Sequence, residues 1–141
     1  MVKFANAEWH GNLKDGNGKV STESGNLDSS YGFNARFAGE KGTNPEELLG
    51  AAHASCFSMA LANNLSTKGF KPEYVKTEDK VYLEKVGDNF RITKIEVNME
   101  ASVPEIDDAT FQAMAEDAKQ NCPISYALRS TEITLIAKLN K

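Results

Sequence analysis

Cysteine is scarce in this sequence: only Cys56 and Cys122 occur among 141 residues. That excludes a small secreted scaffold stapled by disulfides and points to a reducing compartment, where thiols stay free unless their chemistry is the point. A positive surplus is missing as well, since 16 Lys and Arg face 20 Asp and Glu for a formal net charge of −4. Such a balance argues against a sequence-independent grip on a phosphate backbone, so no nucleic-acid partner is expected. The start, MVKFANAEWHGN, carries no apolar run with a small-residue cleavage site behind it, and no export signal is read there. One long uncharged stretch, Leu48 to Leu65, contains Ser, Asn and His residues that suit a buried helix of a soluble protein better than a membrane span. The cytoplasm is therefore the expected location. Repeats, low-complexity tracts and clustered prolines are also absent, and residues 1–141 are read as a single domain.

What is present falls into alternating blocks. Residues 1–38 read as strands and turns, with Phe4, Trp9, Val20, Phe33 and Phe37 separated by Gly and Asn, and a hairpin turn over Lys14 to Lys19. A helix is predicted from Pro45 to Gly69: Thr43 or Asn44 caps it, Pro45 suits its first position, Glu47 stands as in a capping box, and Gly69 stops it. Its apolar residues surround the axis instead of marking one stripe, which predicts burial on all sides, by surrounding sheet or by a second subunit. Lys71 to Val103 reads as strands turning at Gly87-Asp88-Asn89. A second helix follows Asp107 or Asp108 and ends near Asn121, and a last strand spans Thr131 to Leu139. The fold class is α+β.

Three readings of the cysteines stay open on the residues alone. Both thiols suit small buried hydrophobes. A metal reading joins His53 and Cys56, at i and i+3 on one helix, to Cys122 and His10. In a redox reading the thiols are partners that meet only through the fold; one must then be a thiolate, and because burial opposes ionisation a cation is needed. Only Arg36, Arg91 and Arg129 are arginines. Arg36, among Phe33, Asn34 and Phe37, is read either as a strand residue with its head in water or as a buried, paired charge. Glu46 and Glu47 suit the first turn of a helix through its dipole, and His53 reads as a satisfied core histidine.

The stretches Tyr31 to Phe37, Gly42 to Leu61 (GTNPEELLGAAHASCFSMAL) and Asn121-Cys-Pro-Ile-Ser125 closely resemble the osmotically inducible protein C (OsmC) family, in a match running over nearly the whole chain. Ala52-His53 before the cysteine segment resembles the OsmC branch more than the organic hydroperoxide resistance (Ohr) branch. The resemblance implies antiparallel sheets wrapped around central helices in an intertwined homodimer. It also implies a thiol peroxidase of oxidative and osmotic stress defence that reduces organic hydroperoxides, and hydrogen peroxide more weakly, without cofactor or metal. Cys56 is then the peroxidatic cysteine, Cys122 the resolving one, Arg36 the activating cation and Glu46 the carboxylate that holds it. A disulfide between Cys56 and Cys122 would be reopened by an external dithiol or a lipoyl-bearing protein. Phe37, Phe57 and Met59 are candidates to line a pocket for the alkyl group. A non-catalytic peroxide sensor or hydrophobic-ligand binder of the same fold is the alternative.

One expectation is geometric. Ten residues of straight helix separate Glu46 from Cys56 by about 15 Å along the axis. Either Arg36 bridges much of that span, or the helix starts later or kinks, or Glu46 comes from the other subunit; the last is preferred.

Overall fold

The computed structural model describes residues 1–141 as two compact units, Met1–Leu48 and Leu49–Lys141. The first unit holds β1 (Ala5–His10), β2 (Asn17–Thr22) and β3 (Asp28–Tyr31) in an antiparallel sheet of that order, followed by a one-turn helix α1 (Phe33–Phe37). The turn between β1 and β2 runs from Gly11 to Gly16, earlier than the Lys14 to Lys19 expectation, because Asn17 and Lys19 already pair with His10 and Glu8. Gly16 is obligatory there: a Cβ would lie 2.3 Å from the Asn12 carbonyl and 2.5 Å from that of His10.

Helix α2 (Pro45–Thr67) starts where the sequence places it. Asn44 Oδ1 accepts the Glu47 N–H at 2.8 Å, and the Glu47 carboxylate accepts from the Asn44 side-chain amide at 3.1 Å, so the cap is tied by side chain on both sides. Its buried residues, Gly50, His53, Phe57, Leu61 and Leu65, form one stripe. Within a single chain the all-round burial is thus not reached, and Met59 is 75% exposed.

The second unit adds β4 (Tyr74–Val86), β5 (Asn89–Ser102), α3 (Asp108–Asn121), α4 (Pro123–Ala127) and β6 (Glu132–Asn140). The sheet order is β4-β5-β6. Strands β4 and β5 form the antiparallel hairpin expected from Gly87-Asp88, whereas β5 and β6 run parallel, which corrects the antiparallel expectation for that pair. The physical cause is the connection: two helices intervene, and a helical crossover returns the chain in the same direction. On β5, Ile95, Val97, Met99 and Ala101 alternate into the core with Phe57, Leu61 and Leu65 of α2 and Phe111, Ala115 and Ala118 of α3. No helix is long and apolar enough to cross a membrane.

Candidate functional site

In the first unit Arg36 lies on α1, not on a strand as one reading had it. Five residues are too few to display helical periodicity, which is why the pattern gave no warning. Its guanidinium grips Glu46 in the first turn of α2: Nε lies 3.0 and 3.1 Å from the two carboxylate oxygens and Nη2 2.6 Å from Oε1. Glu46 is 12% exposed and Arg36 35%, so the carboxylate is mostly shielded while the guanidinium keeps an open face toward solvent. Beside it Trp9, Leu13, Tyr31, Phe33, Phe37 and Pro45 line a cavity of about 210 Å³ that also reaches Arg36. Of the three expected pocket residues, Phe37 lines this cavity, Phe57 is fully buried in the core, and Met59 faces solvent.

In the second unit the two cysteines meet. Cys56, free and half-buried, lies near Cys122, which is free and buried, close enough for the two thiols to act on each other. Burial pushes the Cys56 thiol above its ordinary value; the Ile124 backbone, hydrogen-bonded to it, works against that, and Cys122 adds to the rise through hydrogen bonding and charge. Cys122 owes its placement to Pro123, which cannot continue α3 and holds the preceding residue extended, at φ −61° and ψ 139°. Cys122 consequently ends α3, with its N–H on the Ala118 carbonyl at 3.0 Å, and caps α4, with Sγ accepting the Ser125 N–H at 3.3 Å. Helix α4 was missed by sequence reasoning, although a proline directly after Cys122 is a helix-start signal.

Behind Cys122 lies a buried polar chain that sequence reasoning did not assemble. The Cys122 thiol donates to Ser125 Oγ at 3.0 Å, Ser125 Oγ lies 2.6 Å from His53 Nε2, and His53 Nδ1 contacts the Asp79 carboxylate. The side chains of His53 and Asp79 are 0% and 1% exposed. Removing one member of such a buried pair costs about 3–5 kcal/mol, because the other is left charged or unsatisfied away from water. Close approach of α2 to β4 makes the contact possible: Gly50 is buried, and a Cβ on it would lie 3.3 Å from Val81 Cγ2 and 3.7 Å from the Asp79 Cβ. One sequence signal existed for Asp79. It shares the inward period-two phase of β4 with Thr77 and Val81, the former hydrogen-bonded to Ser58 of α2 at 2.7 Å.

Both ring nitrogens of His53 are thus engaged, which removes it from the metal reading with Cys56 and Cys122. His10 sits on the surface 3.7 Å from Glu8. No group of three or more His, Cys, Asp or Glu is arranged to hold a metal ion.

An α+β fold that brings two free cysteines near each other, one of them pinned at a helix junction, defines a dithiol protein. Comparison with known proteins gives the lineage. The sequence model of the OsmC-like protein family matches residues 38–136. The chain is 54% identical to Peroxiredoxin OsmC of Escherichia coli (strain K12) over 134 residues, covering 94% of this chain and 93% of that one. It is 34% identical to the organic hydroperoxide resistance protein of Xanthomonas axonopodis pv. citri over 100 residues, 70% of this chain and 68% of that one. The crystal structure of the organic hydroperoxide resistance protein OhrB of Bacillus subtilis superposes with a TM-score of 0.70 at 27% identity, covering 97% of this chain and 98% of that one. The chain belongs to the OsmC-like protein family.

Proposed function

We propose that the chain is a cysteine-based peroxidase that reduces organic hydroperoxides, with residues 1–141 acting as one functional domain. The observation that carries this reading is the contact between Cys56 and Cys122. The names of the relatives, a peroxiredoxin and an organic hydroperoxide resistance protein, support it. The Cys56 thiolate attacks the distal peroxide oxygen; the O–O bond breaks, an alcohol leaves, and Cys56 becomes a sulfenic acid. Cys122 then attacks that sulfur, closing the disulfide and releasing water, before further oxidation destroys the thiol. An external dithiol, free or on a lipoyl-bearing protein, reopens the bond. Such a reductant and the free thiols suit the cytoplasm and a role in oxidative and osmotic stress defence.

Activation of Cys56 requires a cation, and none is among the groups acting on its thiol. Helix α2 is continuous from Pro45, so about 15 Å of axis lies between Glu46 and Cys56 of one chain. Arg36, oriented by Glu46, is therefore read as the activating cation of a second copy's cysteine in a homodimer. The aromatic cavity beside Arg36 would take the alkyl group of the peroxide and favour it over hydrogen peroxide.

The test is single-turnover oxidation with one equivalent of cumene hydroperoxide, followed by thiol counting and peptide mass analysis. Rapid loss of both thiols with a Cys56-Cys122 link is the expected result. Two unreacted thiols would overturn the reading in favour of a hydrophobic-ligand binder, and one oxidation with no turnover on added dithiol would favour a sensor.

A further inference from the structure

The buried chain Asp79, His53, Ser125 and Cys122 runs in one consistent hydrogen-bond direction. An ionised carboxylate only accepts, so His53 Nδ1 carries the proton that faces Asp79. In the neutral ring Nε2 is then an acceptor, filled by the Ser125 hydroxyl 2.6 Å away. Ser125 Oγ, having donated, accepts the Cys122 thiol proton at 3.0 Å, while the Ser125 N–H points at the same sulfur from 3.3 Å. Every bond leads away from the sulfur toward the imidazole, and a charge left on the sulfur meets a backbone N–H.

We propose that Asp79, His53 and Ser125 form a proton relay that takes the thiol proton of Cys122 as it attacks the oxidised Cys56. This rests on the two-cysteine reading above and assigns a task to three residues outside the Cys56, Cys122, Arg36 and Glu46 set. The thiol proton passes to Ser125 Oγ as the Ser125 proton passes to His53 Nε2. The Cys122 sulfur forms the S–S bond, the Cys56 S–O bond breaks, and the hydroxide released takes a proton back through the same chain to leave as water. No outside oxidant is consumed in this step. Ser125 touches the reacting sulfur; His53 and Asp79 are positioning residues that act through it.

Burial is what gives the arrangement its force. Asp79 Oδ1 has no hydrogen-bond partner, so the His53 ring is the carboxylate's sole compensation, and an imidazolium there is stabilised at the moment it forms. The ionisable groups facing His53 and Cys122 are Cys56 from α2 and Asp79 from β4. The buried residues of β5 and α3 are apolar, including Ile95, Val97, Ala115 and Ala118. Bulk water and surface charges thus have little hold on the step.

The experiment separates formation of the Cys56 sulfenate from disulfide closure, by rapid mixing with cumene hydroperoxide, acid quench and mass analysis across a range of pH. In Ser125→Ala closure should slow about a hundredfold at neutral pH, with sulfenate and then sulfinic acid accumulating on Cys56, and should recover with rising pH as hydroxide takes over removal of the thiol proton. Ser125→Thr should restore closure, and Asp79→Asn should show the same rise with pH. Loosened packing alone would slow closure equally at every pH, and that outcome overturns the relay. So does closure in Ser125→Ala at the native rate and pH profile. A native protein that forms the sulfenate and no disulfide overturns the relay together with the two-cysteine reading beneath it.

Discussion

Arg36 and Glu46 are joined by a forked ion pair whose shortest contact, Nη2 to Oε1, is 2.6 Å. A fork of this kind fixes the plane of the guanidinium, which a lysine ammonium cannot reproduce. If Arg36 activates a cysteine, its loss must appear in the pH profile rather than in the fold. With Arg36→Gln, burial and Cys122 act on the Cys56 thiol unopposed by any cation, and both raise its pKa. The rate of sulfenate formation should fall by about ten- to a hundredfold at neutral pH and climb with pH to a midpoint above the ordinary thiol value. Arg36→Lys should fall between the two. Stopped-flow oxidation as a function of pH checks this; a native profile in Arg36→Gln would remove Arg36 from the reaction.

The distance along α2 gives the second prediction. Glu46 and Cys56 of one chain lie about 15 Å apart along the axis, so one native site needs two chains if the Arg36 and Glu46 pair serves a partner's cysteine. Cys56→Ser and Glu46→Ala chains, each inactive alone, should regain activity after mixing and subunit exchange, because a mixed dimer contains one site with both native residues. Silence from a mixture shown to contain mixed dimers would put both residues in the same chain.

The outward side of α2 leads to a third. Met59 is 75% exposed and Ala51, Ala52 and Ser55 are exposed with it, on a helix whose own core stripe is already complete. A second copy covering this side would meet the all-round apolar pattern in the sequence. If the proposed homodimer forms through this side, Met59→Glu should yield a monomer in sedimentation while leaving the far-ultraviolet spectrum unchanged, and peroxidase activity should fall with the dimer. A dimer of native stability in this variant would place the interface elsewhere.

Legibility of the sequence tracked the range of the interaction. Helix α2 was readable because Asn44, Pro45 and Gly69 signal locally, and β4 and β5 because Gly87-Asp88 turns between alternating residues. Helices α1 and α4, five residues each, are too short for a period to register. The parallel pairing of β6 depends on a crossover of two helices, which no local pattern encodes. At the site, Arg36, Glu46, Cys56 and Cys122 came from family resemblance, and the cysteine contact joins residues remote in the chain. His53 was read as a satisfied core histidine, as it is, but its partners Asp79 and Ser125 lie 26 and 72 residues away. Asp79 hides between Glu78 and Lys80 in what looks like a solvated strand.

Gly18 gives a prediction for the first unit. A Cβ there would lie 2.5 Å from Tyr31 Cε1 and 2.7 Å from Trp9 Cε3, because the two rings, 5.5 Å apart between centroids, close over the glycine. Tyr31 is further tied by its hydroxyl to the Glu8 carbonyl at 3.2 Å. Gly18→Ala must therefore spread the pair, at a cost of about 1–3 kcal/mol. Gly32→Ala, at an extended residue with open space around its Cβ position, should cost well under about 1 kcal/mol. Denaturant melts of the two variants make the comparison, and equal midpoints would show that the aromatic pair yields freely.

Asp107 carries a prediction whose sign depends on pH. It caps α3, accepting the Thr110 hydroxyl at 2.7 Å and the Thr110 N–H at 2.9 Å. Both bonds favour the ionised form, the hydroxyl most, and hold the carboxyl below its ordinary value of 3.8. A folded-state pKa below the unfolded one means that the unfolded chain binds the proton more readily. The cap's charge-dependent stabilisation is then complete above the ordinary value and is lost as pH falls through the depressed one. Asp107→Ala should lower the melting temperature near neutral pH, and the gap to the native protein should narrow steadily in strong acid. Asp107→Asn keeps an acceptor oxygen without the charge, so it should retain part of the cap and show a smaller gap near neutral pH than the alanine variant, with the same change toward acid because both variants lack the titrating carboxyl. A gap that stays constant for both variants down to strong acid would mean that the carboxylate charge contributes nothing to the end of α3 that leads into Cys122.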